Sequence, residues 1–180
     1  MKIKHLSVLF VTTLLSLAAS SVSAESSQGT EMNFSCQLKE GVPTTVAQET
    51  EGNKSVSVFH WRKEALPNSA DAKQLCDRVS AKLEDYSAQG YDLSTIGFTS
   101  SEMAGLPSIC AAGENGDCSV VLFTLSPTEK PIDAANKVLT AILDKDLQGN
   151  QLTPKNTRGV QSITYQVNIW SLLGFQKLIK

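Results

Sequence analysis

PNSADAKQLCDRVSAKLEDYSAQG, running from Pro67 to Gly90, is the stretch that decides the fold. Ala72, Leu75, Cys76, Val79, Leu83 and Tyr86 recur at spacings of three and four, which places them on one apolar stripe of a helix. Lys73, Asp77, Ser80 and Glu84 fall on the other side and read as a solvated face. Asn68 or Ser69 can cap the start, Asp71 suits the positive end of the helix dipole, and Gly90 can close the helix in a left-handed conformation. A helix with one apolar stripe needs an apolar surface to cover, and the segments on either side supply it.

Upstream, NFSCQL alternates Phe34, Cys36 and Leu38 with polar residues, the period of a half-buried strand. KEGVP makes a turn, and TTVAQ follows with the β-branched residues of a second strand. After EGN, SVSVFHW alternates again, with Val56, Val58 and His60 expected on one face. Downstream, YDLSTIGF, GLPSICAA and CSVVLFTL read as three more strands. The last is apolar on both faces, which predicts a central place in its sheet. KPIDAANKVLTAILDKDLQG predicts a second helix, with Ile132, Ala135, Val138, Leu139 and Ile142 toward the core and Gly149 at its end. A polar linker then leads to VQSITYQVNIW, a closing strand. Strands, helix, strands, helix, strand with short turns predict an α+β domain: a mainly antiparallel sheet packed against two helices, spanning residues 33–175.

The opening MKIKHLSVLFVTTLLSLAASSVSA has a cationic start, an apolar run from Leu6 to Leu17 and small residues up to Ala24. That layout predicts a cleaved secretory signal over residues 1–24, and the apolar run is too short to span a membrane. Residues 25–32 read as a disordered lead-in. Cleavage after Ala24 removes Lys2 and Lys4 and moves the formal charge from −2 to −4. A mildly acidic chain argues against a dedicated nucleic-acid binder. Export to the periplasm or the extracellular space carries the cysteines into an oxidising compartment.

All four cysteines follow the signal, and their surroundings predict how they pair. Cys36 shares a strand face with Phe34 and Leu38, and Cys76 lies in the helix stripe, so a helix packed on that strand brings the two together. Cys110 and Cys118 end and begin consecutive strands and can meet across a hairpin neck. Of the three connectivities open to four cysteines, this reasoning favours Cys36–Cys76 with Cys110–Cys118. A redox centre would instead bring two thiols within three positions at a helix start, and a zinc site needs about four ligands. After the signal the chain holds one histidine, His60. No metal and no cofactor are expected.

His60 is also the one general base near neutrality that a hydrolase could use here, beside scattered acidic pairs. No GxSxG turn frames Ser94, Ser100, Ser101 or Ser108 as a nucleophile. The chain is therefore expected to be non-enzymatic, with a secreted hydrolase using His60 or a carboxylate pair as the alternative. A small-ligand carrier, with His60 and Trp61 lining a cavity, is a third reading. The C-terminal IWSLLGFQKLIK carries Trp170, Leu172, Leu173 and Phe175 ahead of Lys177 and Lys180. It either completes the core or serves as an interfacial hook, with its apolar groups in the headgroup boundary and its lysines on anionic lipid.

FSC, the GVPTT turn, a strand ending in Trp61, CDRVS on the helix, PSIC, a later cysteine and LFTL together resemble the cyanobacterial circadian oscillating protein domain. The likeness runs from about Phe34 to Leu125 and more loosely through the second helix. Leu75 stands where the pattern often has an arginine. The resemblance implies an exported protein held peripherally at a membrane, whose biochemical role is undefined. It carries over no catalytic residue, and it gives the four cysteines the same structural role. The partner it implies is an envelope or membrane protein, or a lipid surface.

Overall fold

The computed structural model describes residues 32–67, 70–91, 93, 96–113, 115–149, 151–152 and 161–174. The expected signal and the lead-in up to residue 31 lie outside this set. Met32, expected in the lead-in, is instead buried at the start of the first strand. The chain is α+β, with its strands divided between two antiparallel sheets rather than gathered in one.

Strands β1 (Met32–Lys39), β2 (Val42–Glu49) and β3 (Ser55–His60) form the first sheet in sequence order. The β1–β2 turn has only Glu40 and Gly41, both at positive φ, the hairpin geometry that glycine adopts without a Cβ penalty. Helix α1 (Ala72–Ala88) packs on this sheet with the six stripe residues buried. Its N-cap is Asp71, whose side chain accepts from the Gln74 N–H; Asn68 and Ser69 lie outside the described residues. Gly90, at φ +81, follows its last turn as the sequence predicts.

Strands β4 (Ile96–Met103), β5 (Leu106–Ala112) and β6 (Cys118–Thr124) form a meander. Helix α2 (Pro131–Ile142) follows, then β7 (Gln151–Leu152) and β8 (Thr164–Val167), giving a second sheet of order β6-β5-β4-β8-β7. A short helix α3 (Ile169–Leu172) comes last. Between the two sheets Phe59 meets Phe98 with ring centroids 4.8 Å apart, and Trp61 meets Phe123 at 5.4 Å. Both contacts are edge-to-face, the arrangement that the aromatic quadrupole favours.

Several expectations shift for physical reasons. β6 is an edge strand and not a central one: it pairs with β5 alone, and on its other side Lys82 of α1 takes the Val121 and Leu122 carbonyls. β4 begins at Ile96 and runs on through Thr99 and Ser100, which the polar sequence had left outside a strand. Those hydroxyls are buried and satisfied: Thr99 Oγ1 lies 2.8 Å from Thr164 Oγ1, and Ser100 Oγ donates to Asn136 and accepts the Ile163 N–H at 2.9 Å. α2 stops at Ile142 and not at Gly149, because Leu143 turns extended and bridges to Phe59.

The side chains of α1 also close both sheets. Glu84 accepts the Phe34 N–H from the free edge of β1 at 2.5 Å. Lys82 donates to the carbonyls of Val121 and Leu122 on β6, at 2.7 and 2.9 Å. One helix thus caps an unpaired donor on one sheet and unpaired acceptors on the other, which removes two templates for strand addition.

Candidate functional site

The β3 segment carries the residues of chemical interest, and a bulge decides where they point. Thr45 pairs with Phe59 while Val46 pairs with Ser57, so Val58 is the extra residue. The inserted residue shifts the alternation, so Val56 and His60 leave opposite faces rather than the one face expected. Phe59 and Trp61 turn toward the helix and the second sheet, and His60 turns away.

Trp61 is wholly buried, and its indole N–H donates to Thr45 Oγ1 at 2.9 Å. Ser80 Oγ on α1 donates to the same oxygen at 3.2 Å, and the Thr45 hydroxyl lies 3.9 Å from Cys76 Sγ. One threonine hydroxyl thus joins β2, β3, α1 and the first disulfide. A buried indole needs such a partner, since an unsatisfied donor costs about 1–3 kcal/mol.

His60 lies on the other side of the sheet. Its Nε2 is 2.6 Å from Asp144 Oδ2, and its Nδ1 is 3.4 Å from Thr44 Oγ1. Asp144 is placed by its backbone: its N–H donates to Val58 O at 2.9 Å, and its other carboxylate oxygen accepts the Asp146 N–H at 2.9 Å. The pair sits at a cavity of about 510 Å³ that Arg62, Thr140, Lys145 and Gln148 also line. Carboxylate, imidazole and hydroxyl in a row have the outline of a catalytic triad, but Thr44 is fully buried and its hydroxyl donates to Val42 O. Both ring nitrogens face protein groups, so the geometry reads as a clasp between β3 and the turn after α2. Sequence spacing could not have found Asp144, which stands 84 residues from His60.

His60 and Trp61 therefore line different cavities. Trp61 borders the larger, a groove of about 880 Å³ over the first sheet, with Leu38, Pro43, Arg62, Lys63 and Lys73 among its other walls. Leu38 was expected inward with Phe34 and Cys36. It shares their face but lines this open groove, and it is 71% exposed.

The four cysteines form two disulfides, Cys36–Cys76 and Cys110–Cys118, with Cα atoms 5.4 and 5.3 Å apart. The first ties β1 to α1. The second crosses the β5–β6 neck diagonally, since Cys118 pairs with Ala112 across the ladder. Among the described residues no group of three or more His, Cys, Asp or Glu side chains is placed to hold a metal ion.

At the C-terminal end, α3 divides its residues. Ile169 and Leu173 are buried in the core, Trp170 is half-buried, and Leu172 is 44% exposed. Phe175, Lys177 and Lys180 lie outside the described residues. No described helix is long and apolar enough to cross a membrane.

The model of one protein family, Circadian oscillating protein COP23, matches residues 33–173 and so covers both sheets, both long helices and both disulfides. The chain belongs to this family. No curated protein and no solved structure matches it significantly. For this COP23-family chain, the disulfides agree with an oxidising compartment.

Proposed function

We propose that this COP23-family protein is an exported, disulfide-braced docking protein that is held peripherally at a membrane or membrane protein and performs no catalysis. The observation that carries the reading is the division of α3. Two of its apolar residues anchor the segment in the core, while Leu172 stays exposed directly ahead of a stretch that adds Phe175, Lys177, Leu178, Ile179 and Lys180. An exposed leucine followed in the sequence by further apolar residues and lysines suits the boundary between headgroups and acyl chains. The signal-like N-terminus and the two disulfides support export.

Deleting the whole segment from Ile169 would remove core residues, so attachment is better tested by Leu172→Glu combined with removal of residues 175–180. The altered, folded protein should move from the membrane pellet to the soluble fraction. If it stays in the pellet like the parent, the tail is not the anchor.

The hydrolase reading rests on the His60–Asp144 pair. It requires a hydroxyl or water within reach of an imidazole whose nitrogens already face Asp144 and Thr44. An activity found in a broad hydrolase screen and abolished by His60→Ala would establish that reading instead.

A further inference from the structure

The groove over the first sheet lies between the N-terminal end of α1 and the β1–β2 end of the sheet. The helix runs antiparallel to β1, with Ser87 and Glu84 beside Met32 and Phe34 and Cys76 bonded to Cys36. Its N-cap and first residues, Asp71 to Lys73, line a trough together with Leu38 and Pro43, and the buried Trp61 lies beneath it. At about 880 Å³ this trough is in the range of ligand-binding clefts, roughly 300–1,000 Å³.

Its charge is uneven once internal partners are discounted. The Asp71 carboxylate is occupied in capping Gln74, and the Lys73 ammonium lies 2.6 Å from Asp77. Arg62 and Lys63 form no side-chain hydrogen bond or ion pair among the described residues; Glu64 lines the trough beside them, and Arg62 also borders the cavity that holds Asp144 and Asp146. The trough therefore combines an exposed leucine and two prolines with a pair of adjacent free cations.

A main-chain handle lies at the same place. The Phe34 N–H points away from β2, toward Glu84, and antiparallel alternation turns the N–H and C=O of Leu38 the same way. No side chain of α1 extends to Leu38 as Glu84 does to Phe34.

We infer that this groove docks an extended acidic segment of a partner protein, with apolar side chains seated on Leu38 and Pro43 and carboxylates on Arg62 and Lys63. An extended chain alternates its side chains, so one set can enter the trough while the next reaches the rim. A bilayer surface fits less well, because the cations border a recessed trough whose banks also carry Glu64 and Asp71. The inference deepens the docking reading above and rests on it by naming the class of partner.

The test pans a phage-displayed heptapeptide library against the purified, oxidised protein, then measures the Kd of a synthetic consensus peptide. Enriched sequences should join Asp or Glu to Leu, Pro or aromatic residues. The consensus peptide should bind at least tenfold more weakly to Leu38→Glu and to the Arg62→Glu, Lys63→Glu double variant. Those side chains are exposed, so the unfolding midpoints should not move, and Lys145→Glu in the neighbouring cavity should bind like the parent. No enrichment, a basic consensus, or equal binding by the groove variants overturns the inference. So does binding to phosphatidylglycerol vesicles that depends on the same three residues, which would assign the groove to lipid. The Leu172→Glu protein should bind the peptide unchanged, so the groove and the tail stand or fall separately.

Discussion

His60 holds Asp144 at 2.6 Å, joining the last residue of a strand in the first sheet to the turn that follows a helix of the second. Both side chains are mostly buried, at 25% and 19% exposure. The neighbouring residues repeat the link, since Phe59 bridges to Leu143. A double-mutant cycle with His60→Ala and Asp144→Ala should give a coupling of about 1 kcal/mol, between an exposed pair and a charged buried hydrogen bond. Urea unfolding curves check it, and a coupling near zero would remove the clasp.

The two disulfides should differ in worth. In the chain-entropy model the 40-residue separation of Cys36 and Cys76 gives about 3.9 kcal/mol, and the 8-residue separation of Cys110 and Cys118 about 2.6. Replacing each pair by serines should therefore lower the urea midpoint more for the first. The opposite order would show that denatured-state structure dominates.

Lys82→Ala and Glu84→Ala should each destabilise by about 1 kcal/mol, the usual net worth of a hydrogen bond. Combined, they should also raise light scattering on storage, because β1 and β6 then present uncapped edges. Scattering equal to that of the parent would mean that α1 shields the edges by bulk alone.

Tyr86 is stacked on Tyr91 with ring centroids 4.2 Å apart, and burial, with Tyr91 adding, raises its phenol above the ordinary value. A phenol whose proton is held more tightly in the folded state stabilises fully below the unfolded value. That contribution is lost as the pH climbs from about 10 toward the raised folded value. Stability should therefore fall across that window, and Tyr86→Phe should flatten the slope. Urea midpoints from pH 9 to 11 give the readout, and an unchanged slope in the variant would exclude this tyrosine as its source.

What the sequence made legible was periodic or local. Six residues at helical spacing predicted the buried stripe of α1, and the same reasoning about faces predicted both disulfides. What it hid was non-local. Thr99 and Ser100 look like loop residues until Asn136, Ile163 and Thr164 arrive to satisfy them. The bulge at Val58 comes from pairing with β2 and leaves no mark in SVSVFHW, so His60 was assigned to the wrong face. β6 was misplaced because apolar residues on both faces do not report how many strands pair with its backbone, and only β5 does. The groove depends on where α1 begins relative to Leu38, a register that no single segment encodes.

The bonds Cys36–Cys76 and Cys110–Cys118 join cysteines that are consecutive in the chain. During synthesis each thiol therefore meets its correct mate before the next one emerges. An oxidant that acts on thiols as they appear makes the native pattern directly, with no rearrangement left for an isomerase. The first bond can close while the second sheet is still unmade.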